Sequence, residues 1–169
     1  MSRFDQSYST CSEYRYPVSG TRKGASWKGA LCDPDLGPVI AETEHWKLVL
    51  NVRNQNLLGK CPLALRRHEE TLTALSAEEW ADLRTGTAKA TDALRSVFDP
   101  DHFNYAFLQS MDRHVHLHVL PRYAGNREFS GETFGDGRYP DHYNPFAAPR
   151  PLSAEKTEEL ATLLRRHAV

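Results

Sequence analysis

The chain has 169 residues, of which 40% are hydrophobic and 25% charged, and its formal net charge is -1. That length supports one domain with a sizeable core rather than two, and the balanced charge excludes the broad basic surface that a long nucleic acid needs. The opening MSRFDQSYSTCSEYRYP lacks the uninterrupted apolar core of a secretory signal and no apolar run reaches membrane length, so a cytoplasmic protein with no membrane partner is expected.

Residues 1–30, rich in Ser, Tyr, Gly and Arg without a period, are expected to form an arm, flexible or packed over the surface, ahead of a domain at 31–123. Turn residues in LCDPDLGP lead into two apolar stretches, Val39 to Thr43 and Trp46 to Val52, that predict an antiparallel hairpin. A third strand is expected from Cys61 to Arg66, with Pro62 marking its start or an edge. Ser76, followed three residues later by Glu79, is a capping box opening a long helix; Trp80, Leu83, Thr87, Ala90, Leu94 and Val97 form its apolar stripe. Gly86 weakens that helix by about 1 kcal/mol relative to Ala without breaking it. FNYAFLQS at 103–110 predicts a fourth strand, and HVHLHVL at 114–120 a fifth, closed by Pro121. The region 124–169 is expected to pack on the same domain as a long aromatic, Pro- and Gly-rich loop without regular structure, followed by a helix capped by Ser153. Arg165 and Arg166 complement the dipole of that helix's last turn. Cys11, Cys32 and Cys61 have wide, irregular spacing and are read as reduced thiols, not as a disulfide framework or a zinc knuckle.

His114, His116 and His118 alternate with Val115, Leu117 and Val119. In a strand the three imidazoles share one face at intervals of about 6.5 Å, while the branched residues enter the core; around a helix they would scatter. Half-buried structural histidines would account for one such residue more readily than for three in register. A metal site is a second possibility, but the outer two histidines stand about 13 Å apart, too far for one tetrahedral ion, and no further ligand set is evident. The third is nucleophilic catalysis, in which the central imidazole of His116 attacks phosphorus and forms a phosphoramidate, its free nitrogen available at neutral pH. His118 is the expected proton donor to the leaving group.

On HVHLHVL the sequence resembles the histidine triad superfamily, whose signature His-φ-His-φ-His-φ-φ, with φ apolar, it matches at every position. The resemblance runs from about Val39 to Arg122, and HVLPR followed by AGNREF is most similar to the fragile-histidine-triad branch. It implies an α+β fold with a five-stranded antiparallel sheet, one long helix packed on it and a C-terminal helix. It also implies a homodimer and a site for a nucleotide, adenine type foremost, with no cofactor and no required metal. The implied chemistry is hydrolysis or transfer at the α-phosphate of a dinucleoside polyphosphate or nucleoside phosphoramidate through a nucleotidyl-histidine. The alternatives are phosphorolysis, or a nucleotide-binding regulator with little turnover.

By the same resemblance His116 matches the nucleophile, and His114 and His118 match the histidines that flank it. Gln109 and Ser110 match a polar pair that contacts phosphate. Asn51, Asn54 and Asn56 are the candidates for an asparagine near the ribose, and the sequence does not choose among them. Two departures stand out. Where the family has Gly-His at the start of the third strand, this chain has Gly59-Lys60, which leaves Lys60 as a phosphate contact or a solvated strand end. The loop SMDR before His114 is short, so Arg113 is either a substitute phosphate donor or an exposed charge. His68 matches a histidine common at the end of the third strand and is read as structural. His102 and His142 have no partner in sequence. Tyr139, His142 and Tyr143 either cover a base or, more simply, pack their loop.

Overall fold

The computed structural model describes residue 31 and residues 37–109, 112–145 and 147–169; the arm at 1–30, Cys11, Cys32 and Ser110 lie outside the described residues. Five strands, β1 (Val39–Glu42), β2 (Trp46–Val49), β3 (Cys61–Leu65), β4 (His102–Ala106) and β5 (His116–Arg122), pair antiparallel in the order β1-β2-β3-β5-β4. Side chains alternate across the sheet. Trp46, Leu48, Leu63, Leu65, Leu117 and Val119 fall on one face and join the hydrophobic core. Helices α1 (Ala77–Phe98) and α2 (Ala154–Arg165) complete that core through Ala90, Ala93, Leu94, Leu160 and Leu164. Each fully buried leucine in this layer contributes about 1.5–3 kcal/mol. On the other face, Ala64 stands opposite His116 and Pro62 opposite His118.

The helix starts follow the sequence expectation. Glu79 N–H donates to Ser76 Oγ and Ser76 N–H to Glu79 Oε2, a complete capping box, and Lys156 N–H donates to Ser153 Oγ at α2. The buried stripe of α1 is rotated from the expected one: Gly86, Ala90, Thr91, Ala93, Leu94 and Phe98 are buried, while Trp80 is exposed and meets Phe107 edge-on. The cause is a close approach at Gly86, where a Cβ would lie 2.9 Å from Leu63 Cδ2. Small residues let the helix sit low on β3, and the bulky Trp80 cannot share that contact.

Strand limits also shift. β2 stops at Val49 rather than Val52, and β3 at Leu65 rather than Arg66. β4 covers His102–Ala106 rather than 103–110, because the chain leaves the ladder towards a left-handed Gln109. β5 begins at His116 and runs through Pro121 to Arg122. Pro121 is tolerated because the β3 pairing has ended at Cys61–Val119, and Pro62 because the β2 pairing has ended at Leu48–Leu63. The segment expected to lack regular structure contains a hairpin, β6 (Arg127–Phe129) and β7 (Glu132–Phe134), turned by Ser130 and Gly131 with φ of 48° and 75°. Two successive positive φ values are the geometry of a tight two-residue hairpin, so the Ser-Gly pair was its signal.

Candidate active site

The histidine face of β5 is set by the β3–β5 register and by the even phase of its residues. His116 is only 4% exposed, and its Nδ1 lies 2.7 Å from the His114 carbonyl oxygen. A carbonyl only accepts, so Nδ1 carries the proton and Nε2 of the neutral ring keeps its lone pair. Burial pushes the His116 imidazole below its ordinary value, with the His114 hydrogen bond acting in the opposite direction, which keeps Nε2 unprotonated at neutral pH. His118 Nε2 is 2.9 Å from His116 Nε2, so His118 must be the donor there. His118 itself is pushed down to about 4 by burial, by His116 and by the charge of Lys60. At neutral pH it is therefore an uncharged N–H donor, not a store of an acidic proton.

His114 does not stand beside its two neighbours. It precedes β5, is 1% exposed, and directs its side chain inward, with Nε2 at 2.6 Å from the Leu65 carbonyl and Nδ1 at 3.4 Å from His68 Nδ1. Because Leu65 O fixes the proton on Nε2, His68 donates to Nδ1. His68 Nε2 in turn lies 3.5 Å from Glu70 Oε1, a buried oxygen with no hydrogen-bond partner among the described residues. Asp112 accepts from His114 N–H at 3.0 Å and from Leu31 N–H at 2.7 Å. His114 thus serves the site through its carbonyl, and His68 and Asp112 hold that carbonyl's residue in place.

Lys60 lies on the histidine face as well. The loop before it is stapled by Gln55, wholly buried, whose Nε2 donates to Asn51 O and Lys60 O and whose Oε1 accepts from Gly59 N–H. Asn51 Oδ1 accepts from Asn54 N–H, and Asn54 Oδ1 accepts from the N–H groups of Asn56 and Arg150. Of the three candidate asparagines, only Asn56 turns its side chain to a charged site group, accepting from Lys60 Nζ at 2.9 Å. Tyr143, from the loop after β7, brings its hydroxyl to 3.1 Å from the same Nζ.

Burial pushes the Lys60 ammonium from its ordinary 10.5 down to about 8. The unfolded chain therefore holds more protons than the folded one between those values, so this group makes stability rise as pH climbs from about 8 towards about 10.5. Cys61, pushed up by burial to about 12, acts oppositely in that range. Urea unfolding of the parent and Lys60→Met at about pH 8 and about pH 10 isolates the lysine: the stability difference between them is expected to shift in the parent's favour at the higher pH.

Gln109 directs its amide Nε2 to Glu70 O and Arg113 O at 2.8 and 2.7 Å, closing the short loop before His114. Arg113 is exposed at the end of that loop. Arg122, which sequence reasoning passed over, continues the even phase of the histidines; it is 2% exposed and donates to both carboxylate oxygens of Asp136, to Asn104 Oδ1 and to Asp141 O. These bonds tie the Tyr143 loop to the histidine face. Gln55 and His68 were also missed in these roles; the only available signal was a polar residue beside a strand end. Among the described residues no group of three His, Cys, Asp or Glu side chains is arranged to hold a metal ion, and no helix is long and apolar enough to cross a membrane.

No family model matches the sequence, and no curated protein matches it. The structure is similar to the crystal structure of a histidine triad protein from Bradyrhizobium japonicum, with 20% identity over 78% of this chain and 90% of that one and a TM-score of 0.62. A hypothetical histidine triad nucleotide-binding protein from Sulfolobus tokodaii matches at 18% identity over 78% and 83%, TM-score 0.58. The C. elegans NitFhit protein matches at 22% identity over 76% of this chain and 27% of that one, TM-score 0.55. Likeness at these identities demonstrates a common fold.

Proposed function

We propose that this chain, which has the fold of the histidine triad proteins, is a nucleotide hydrolase or nucleotidyltransferase acting through a nucleotidyl-histidine. The observation that carries the proposal is the His116 Nδ1–H donated to the His114 carbonyl, which aims the Nε2 lone pair of a buried, neutral imidazole into the site. A substrate displaces the His118 N–H from that lone pair. Nε2 then attacks the α-phosphorus; the N–P bond forms, the bond to the leaving group breaks, and its electron pair departs with that group, a phosphate needing no proton and an amine taking one up from solvent. The His114 carbonyl, still bonded to Nδ1–H, offsets the positive charge that the ring acquires. Water attacks the phosphorus, the electron pair returns to Nε2, and nucleoside monophosphate leaves with release of one proton.

Lys60 and Asn56 are assigned to the substrate, with Gln109, Ser110 and Arg113 at the phosphate side of the triad; Asn51 and Asn54 shape the loop that carries Asn56. An adenine nucleotide in a cytoplasmic homodimer completes the proposal. The dimer is supported by β4, an edge strand beside which Tyr105 and Leu108 are exposed. Light scattering should give twice the chain mass for the parent, and Tyr105→Asp combined with Leu108→Glu should shift it towards one.

Intact-protein mass tests the chemistry. After mixing with diadenosine tetraphosphate or an adenosine phosphoramidate and quenching at neutral to alkaline pH, an acid-labile increment of one adenylyl group is expected, decaying with release of AMP. Decay that requires inorganic phosphate would identify a phosphorylase. Binding with neither adduct nor turnover would leave a nucleotide-binding regulator.

A further inference from the structure

Lys60 is a buried cation with no anion to match it among the described residues. It is 3% exposed, yet its Nζ donates only to the neutral oxygens of Asn56 and Tyr143, and it forms no ion pair among the described residues. An ammonium removed from water without a counter-charge is costly, so its retention calls for an anion from outside the chain. Of its three donors, two are used and one remains. Asn56 also bonds the Tyr143 side chain, and the Tyr143 hydroxyl proton supplies a further donor beside the same point.

Its place on the sheet says which anion. The β3–β5 register pairs Cys61 with Val119, so Lys60 stands level with Leu120, about 6.5 Å along the strand beyond His118 and about 13 Å beyond His116. Its charge acts on His118. Lys60 therefore enters the site from the His118 side, one residue pair beyond the histidine whose ring touches His116 Nε2.

We infer that Lys60, Asn56 and Tyr143 form a second anion subsite that takes the phosphate next to the scissile one, so that the substrate is a nucleotide conjugate with consecutive phosphates. This rests on His116 being the nucleophile. When the bridging P–O bond breaks, its electron pair stays on the oxygen of the departing phosphate. The ammonium offsets that charge in place, and no proton has to move.

The test compares kcat/KM for diadenosine tetraphosphate and for adenosine 5′-phosphoramidate in the parent, Lys60→Met and Lys60→Arg. Loss of one buried charge-assisted contact should lower the tetraphosphate value roughly 100-fold in Lys60→Met, against less than about 3-fold for the phosphoramidate. Lys60→Arg should recover to within about 10-fold of the parent. Equal losses on both probes would put Lys60 at the scissile phosphoryl and overturn the subsite, as would no loss on either.

A parent inactive on both probes would sink the nucleophile assignment instead. The subsite is then judged by calorimetry with inorganic diphosphate, which Lys60→Met should weaken by about 100-fold; equal affinity for both proteins overturns it. Thermal unfolding separates a structural role. Removing an unmatched buried charge should leave the Lys60→Met midpoint equal to or above the parent's near neutral pH, whereas a fall of about 5 °C or more would make Lys60 a support of the fold and overturn the proposal.

Discussion

His116→Ala is expected to abolish the adenylyl adduct and to lower turnover of a nucleotide conjugate by about 10⁴-fold or more, the scale on which removal of an attacking side chain acts. The size follows from what is lost. His116 Nε2 is a ring nitrogen whose lone pair the local hydrogen bonds turn into the site, since His116 Nδ1 is held on the His114 carbonyl, whereas His114's own nitrogens face Leu65 and His68. Neither neighbour can replace it: His114 is turned into the interior, and His118 reaches the site as a donor. Rapid-quench kinetics with mass detection, beside an unfolding curve to show that the variant folds, checks the result. A variant that still forms the adduct would remove His116 from the chemistry.

The same groups set the pH profile of the parent. Because burial depresses His116, the acid limb of kcat/KM should fall below the ordinary histidine value of 6.5. On polyphosphate substrates the rate should also decline as pH rises through about 8, where Lys60 loses its proton. An acid limb above 6.5 would contradict the neutral, buried imidazole.

Arg122→Met should destabilise the fold by about 3–5 kcal/mol, because it leaves the Asp136 carboxylate almost buried and without its partner. Arg122 also satisfies Asn104 Oδ1 on β4 and Asp141 O on the same loop as Asp136, so three acceptor groups lose a donor at once. Urea unfolding measures the loss, and adding Asp136→Asn should recover part of it by removing the stranded charge. The effect reaches the site as well. Freed from Arg122, the segment that carries Tyr143 no longer holds its hydroxyl at Lys60, so KM for a polyphosphate substrate should rise. A stability change under about 1 kcal/mol would mean that water already serves Asp136.

Much of this is legible in the sequence. The period of two across 114–120 marked a strand whose odd residues enter the core, and Val115, Leu117 and Val119 do so. Ser76 and Glu79 announced the long helix, since a capping box is a local contract between residues three apart. The hairpin, the third strand and the order of elements were local in the same sense. The Ser-Gly hairpin was local too, but its three-residue strands are too short for alternation to register.

What the sequence determined by itself is the chemistry on offer: three alternating imidazoles, a lysine at the start of the third strand, and a strand phase that places His116, His118 and Arg122 on one face. What only the tertiary structure decided is which of those groups meet. His68 finds His114 across 46 residues, and Tyr143 finds Lys60 across 83. These are pairings between segments whose separation carries no periodic signal. They exist because the sheet register and the Arg122 clamp bring the segments together. The same is true of protonation, since the nitrogen that attacks is settled by the His114 carbonyl on the other side of the ring, a matter of packing rather than of composition.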